Sequence, residues 1–169
     1  TFFYDPENPV PDFEKVINNH RKIVYFYNNV EDDEGNLIVG PEYGEHGTHV
    51  MGTIAGKALN DNASISIFNG IAPNAKIFYS GTFNDDNKFI SSTEGAENLS
   101  NLFEQTNTTV FSNSWGMDVP IAPESALYDK LAFESPKTLL VFAAGNSGSD
   151  GNLCTVYPPG SSKNVMTVG

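Results

Sequence analysis

Thr138-Leu139-Leu140-Val141-Phe142-Ala143-Ala144 is the stretch that most restricts the fold. It is nearly all apolar and lacks the alternation of a strand with one wet face. Parallel strands covered on both faces have this composition. Lys22–Tyr27, Lys76–Ser80, Thr109–Ser114 and Asn164–Val168 read as further strands. Between them lie helical patterns. Ser91-Ser92-Thr93-Glu94 has the form of a capping box, and Ala96, Leu99, Leu102 and Phe103 continue as one apolar face. Pro123 suits the first turn of another helix, with Leu127 and Leu131 turned inward. Gly70–Ala75 is a turn ahead of the second strand. Strands alternating with helices predict a parallel α/β sheet with helices on both faces. The chemistry of such sheets lies beyond the carboxyl ends of the strands, where Ser114 and Asn146 fall.

Glu45-His46-Gly47-Thr48-His49-Val50-Met51-Gly52-Thr53-Ile54-Ala55-Gly56 is the second constraint. Read as a helix, it places His46 in the first turn and Val50, Met51, Ile54 and Ala55 on one buried face. Gly47 and Gly52 each cost about 1 kcal/mol against alanine, so another backbone is expected to come close. Gly56 reads as the stop.

This stretch resembles the histidine motif of the subtilisin-like serine peptidases, the subtilases. Val141-Phe142-Ala143-Ala144-Gly145-Asn146-Ser147-Gly148 resembles the same family's oxyanion-asparagine motif, and Gly70-Ile71-Ala72-Pro73-Asn74-Ala75 its turn before a core strand. The likeness runs from about His46 to Gly169. It implies a three-layer, mostly parallel α/β sheet, incomplete at both ends, with 1–169 as part of one catalytic domain. Residues 1–45 would be an irregular excursion within it, and the stretch 1–21, rich in Asn, Pro and aromatics, would lie on the surface.

The resemblance makes His46 the general base of a serine peptidase. At a helix start an imidazolium is mildly disfavoured, so an opposing carboxylate is needed. The plainer alternative is a structural histidine, which is the reading for His49, with its ring bonded to backbone. Asn146 would be the oxyanion donor; otherwise Gly-Asn-Ser-Gly is ordinary turn chemistry. Ser114, Trp115 and Gly116, with Ala143, Ala144 and Gly145, match the segments flanking the family's substrate cleft, where a peptide pairs by backbone hydrogen bonds. Their alternative is strand ends without a ligand. Ser114 lacks the Gly-x-Ser-x-Gly setting of a nucleophile.

The family's triad runs Asp, His, Ser along the chain. Asn28-Asn29 follows the first strand in place of an Asp-Thr/Ser-Gly, Asp32 and Asp33 sit in an acidic turn, and no Gly-Thr-Ser-x-Ala appears. The reading is therefore an interior segment, its aspartate before Thr1 and its serine after Gly169. Alone it is expected to be inactive, unlabelled by serine-directed phosphonates and marginally stable. A subtilase-like peptide-binding module without a nucleophile is the rival.

A metallohydrolase using His46 and His49 lacks His-Glu-x-x-His and a third ligand, so no metal site is assigned. No cofactor is required. Calcium is left open without a located site, since the acidic loops at 31–34 and 84–87 lack a dedicated alternation. A polypeptide is the implied partner. The net charge of −12 argues against nucleic acid and against an anionic membrane surface. No apolar run approaches the ~20 residues of a membrane span. The single cysteine, Cys154, and the sequons at Asn62, Asn98 and Asn107 leave the compartment open, although the family resemblance leans towards an extracytoplasmic one.

Overall fold

A computed structural model describes residues 2–8, 15–28, 46–59, 63–81, 93–151 and 153–169. The acidic turns at 31–34 and 84–87, Glu45, Ser91 and Ser92 lie outside them. The chain divides into two compact units, Thr1–Ile90 and Ser91–Gly169.

In the first unit, β1 (Ile23–Asn28) pairs in parallel with β2 (Ile77–Gly81), joining Ile23 to Ile77 and Asn28 to Gly81. The chain between them carries α1 (His46–Ala55) and α2 (Ala63–Ser66). Parallel neighbours require such a crossover. Ile17, Ile23, Ala55 and Ile77 form the core, with Phe3, Met51 and Tyr79 packed against it.

Residues 2–8 and 15–21 are irregular but do not simply lie on the surface. Asp5, Ile17 and His20 are buried. Asp5 accepts the backbone N–H groups of Glu7 (3.0 Å) and Arg21 (2.7 Å). The Arg21 guanidinium donates to the carbonyls of Tyr4, Phe2 and Lys57. A polar segment can be buried here because its backbone groups find partners.

The expected close approach at α1 is present, and Gly70 is the residue that permits it. A Cβ on Gly70 would stand 2.6 Å from the Gly52 carbonyl oxygen and 2.7 Å from the Ala55 nitrogen. One on Gly52 would meet only Phe3, at 4.0 Å. The approach has a purpose. The last carbonyls of a helix lack partners within it, and here Gly70, Ile71 and Ala72 donate to the carbonyls of Gly56, Thr53 and Ile54. Of the expected buried face, only Ala55 is buried; Val50 and Met51 are half-buried and Ile54 is exposed.

The second unit holds α3 (Thr93–Thr106), β3 (Val110–Asn113), α4 (Glu124–Glu134), β4 (Leu139–Ala143) and β5 (Met166–Val168). The strands are parallel in the order β3-β4-β5, with Val110 opposite Leu139 and Val141 opposite Met166. Leu99, Leu102 and Phe103 are buried on α3, as their spacing predicts. On α4 the buried pair is Tyr128 and Leu131, with Leu127 half-buried, and Pro123 is the N-cap just before the first turn.

The helices cover the sheet face that carries Phe111, Leu140 and Phe142. Phe103 meets Phe111 at 5.0 Å between ring centroids, and Tyr128 meets Phe142 at 4.9 Å. The other face carries Val110, Leu139, Met166 and Val168, all about half exposed. The parallel α/β architecture is as expected, but among this unit's described residues the helices lie on one face only.

Candidate active site

β4 ends at Ala143, and the chain then turns outward through Gly145, whose φ of +92° suits glycine. Asn146 follows as N-cap of a short 3-10 helix, Ser147–Asp150, with φ −114° and ψ 3°. Its side chain makes no capping hydrogen bond and is exposed. The carboxamide is therefore not consumed by the local turn chemistry that would otherwise explain an asparagine here. Ala144 donates to the Val168 carbonyl (2.8 Å), tying the exit of β4 to β5.

Ser114, Trp115 and Gly116 leave the end of β3 beside it. The ladder between β3 and β4 closes at Asn113 opposite Phe142, so these three residues and Ala143, Ala144 and Gly145 extend beyond the last β3–β4 pair. Ser114, Trp115 and Ala144 are half-buried; Gly116, Ala143 and Gly145 are exposed.

Beneath them lies an aromatic cluster. The Trp115 indole meets Phe142 edge-on at 5.7 Å and Tyr128 at 5.8 Å, and its Nε1–H donates to Asn113 Oδ1 (3.3 Å). Burial raises the Tyr128 hydroxyl above the usual phenol range, and the nearby Glu124 carboxylate adds to the rise.

The buried turn Pro158-Pro159-Gly160 lies against both segments. Pro158 accepts the Met117 N–H (2.9 Å), and a Cβ on Gly160 would stand 2.9 Å from the Ala143 carbonyl oxygen. The turn is held from behind by α4. Ser162 donates to the Ser125 carbonyl, and Asp129 takes the Asn164 N–H (2.8 Å) and the Lys163 ammonium (3.2 Å). Sequence reasoning did not find this turn or Asn113. The one available signal is a carboxamide, a poor strand former, at the end of a predicted strand.

The second unit thus brings Ser114, Trp115, Gly116, Ala143, Ala144, Gly145 and Asn146 to one sheet edge. His46 belongs to the first unit, where it is the first residue of α1 and exposed. His49 is also exposed; its carbonyl accepts the Thr53 hydroxyl (3.1 Å), and among the described residues its ring shows no backbone bond of the kind expected. Among the described residues no three His, Cys, Asp or Glu side chains gather as a metal site. No helix among them is long and apolar enough to cross a membrane.

Comparison with known proteins agrees with these motifs. The pattern of the subtilase family (peptidase family S8) matches residues 7–169. The serine protease/ABC transporter B family protein tagD of Dictyostelium discoideum is 29% identical over 177 residues, covering 99% of this chain and 9% of the relative. Its counterpart tagB, from the same organism, is 30% identical over 180 residues, covering 99% and 8%. The chain therefore spans less than a tenth of the length of these relatives. Among solved structures, the psychrophilic subtilisin-like protease Apa1 from the Antarctic Pseudoalteromonas sp. AS-11 superposes with a TM-score of 0.56 at 26% identity, over 84% of this chain and 30% of that one. The CspB protease of Clostridium perfringens shares the fold, with a TM-score of 0.57 at 19% identity, over 87% and 33%. The chain belongs to the subtilase family.

Proposed function

We propose that these residues are the central part of a subtilisin-like serine endopeptidase catalytic domain, which cleaves polypeptides through an acyl-enzyme. His46 acts as general base, taking the proton of the attacking serine and returning it to the leaving amine. Asn146 donates its side-chain N–H to the oxyanion that develops on the scissile carbonyl. The substrate backbone runs between Ser114–Gly116 and Ala143–Gly145. The orienting aspartate and the serine come from sequence before Thr1 and after Gly169.

One observation carries the reading: the exposed carboxamide of Asn146, free of any capping bond, stands just past the carboxyl end of a parallel strand. A donor of this kind favours the transition state only if nothing else has claimed its N–H.

The test is Asn146→Ala in the protein expressed from its complete reading frame. The expected result is a fall in kcat of about 10²–10³, the loss known for the matching donor in subtilisin itself, with KM changed far less. An active wild type whose kcat survives Asn146→Ala would remove the oxyanion role. A wild type that binds peptide yet resists labelling by serine-directed phosphonates would instead be the peptide-binding module.

A further inference from the structure

Asn113 is buried at the end of β3, on the same face as Phe111. Asparagine is a poor strand residue, and a buried carboxamide is costly unless hydrogen-bonded. This one is bonded to three segments. Its Nδ2 donates to the Phe111 carbonyl (3.1 Å) on its own strand and to the Val141 carbonyl (3.3 Å) on β4. Its Oδ1 accepts the Trp115 Nε1–H (3.3 Å).

An indole N–H can only donate, so the orientation of Trp115 depends on an acceptor in this place. Phe142 and Tyr128 fix the faces and edges of the same ring. At its far end the segment is held by Met117 donating to Pro158. Between these two anchors, Ser114, Trp115 and Gly116 run past the last β3–β4 pair, the stretch to which the peptidase reading assigns the substrate backbone.

We propose that Asn113 is a positioning residue for substrate: through the Trp115 indole it holds Ser114–Gly116 in place for the peptide that runs along it. The inference rests on the peptidase reading of the same edge. Asn113 touches neither the reacting carbonyl nor the proton in flight. Its loss weakens the binding of residues that pair along the segment and leaves bond cleavage itself alone.

The intact protein is assayed with two substrates, an extended peptide and a single-residue ester too short to pair along the segment. One well-oriented hydrogen bond sets the scale, so Asn113→Ala should raise KM for the extended peptide about tenfold. Its kcat on the ester should stay within about twofold. In a Trp115→Phe background, where the indole donor is gone, Asn113→Ala should add little further. Equal losses on both substrates, or fully additive effects, would overturn the proposal.

Should Asn113→Ala not fold, Trp115→Phe carries the test, because it must weaken the extended peptide more than the ester. If the intact protein binds peptide without cleaving it, the same comparison is made on the dissociation constants of a long and a short peptide. A wild type that neither cleaves nor binds peptide refutes the functional reading. A wild type that does either, with Asn113→Ala indistinguishable from it, refutes this inference alone.

Discussion

Lys22 is the residue whose chemistry is most at odds with its surroundings. It is 2% exposed, and its ammonium donates to the carbonyls of Pro73 (3.0 Å) and Ala75 (2.5 Å). Burial pushes its pKa down to about 8, and repulsion from Arg21, Lys57 and Lys76 adds to the shift. The folded amine gives up its proton near pH 8, while the unfolded chain keeps it to about 10.5. Between these limits the unfolded state binds more protons, so the group makes stability rise with pH. Urea unfolding across that window should show a positive slope that is flatter in Lys22→Met; an identical slope would show the amine to be ordinary. Burial lowers the pKa of His20 as well, and its Nδ1 accepts the N–H groups of Lys22 (3.0 Å) and Ile23 (2.9 Å). Neither residue's burial is legible in the sequence, where His20 falls in the stretch expected on the surface and Lys22 is the one charged residue of a predicted strand.

At the level of elements, the turn after α2 is the joint most sensitive to added volume. Gly70→Ala would force a methyl group against the backbone at Gly52 and Ala55. Overpacking of this kind costs about 1–3 kcal/mol. Gly52→Ala, on α1, is the control: its Cβ would meet only Phe3, at 4.0 Å. Thermal unfolding should show the larger loss at Gly70, and equal losses would mean that the close packing is unimportant. The elements themselves were largely legible. Leu99, Leu102 and Phe103 announce α3 by their spacing, and the apolar run at 138–144 announces a strand, although only one of its faces, with Leu140 and Phe142, is buried. The family likeness nominates seven residues of the second unit, and the structure brings them to one sheet edge. Asn113, the Pro158–Gly160 turn and the role of Gly70 were hidden, because each acts through a partner distant in sequence. α1 departs from its expected apolar face, since Ile54 stays exposed.

Across the whole molecule, the exposed face of β3-β4-β5 dominates the behaviour expected of these 169 residues. Val110, Leu139, Met166 and Val168 form an apolar surface on parallel strands, which ordinarily have both faces covered. The 169-residue chain is expected to self-associate. Leu139→Lys should shift it towards monomer in sedimentation velocity, and an unchanged size distribution would place the association elsewhere. At the carboxyl edge of the sheet, the turn at Pro158–Gly160 takes a hydrogen bond from the chain leaving β3 and lies close against the end of β4. Both rails therefore share one abutment, itself moored to α4 by Asp129 and Ser125. On the peptidase reading proposed above, the gauge between them is set from the rear, so a change at Ser125 or Asp129 would retune what fits without altering any atom a guest would touch.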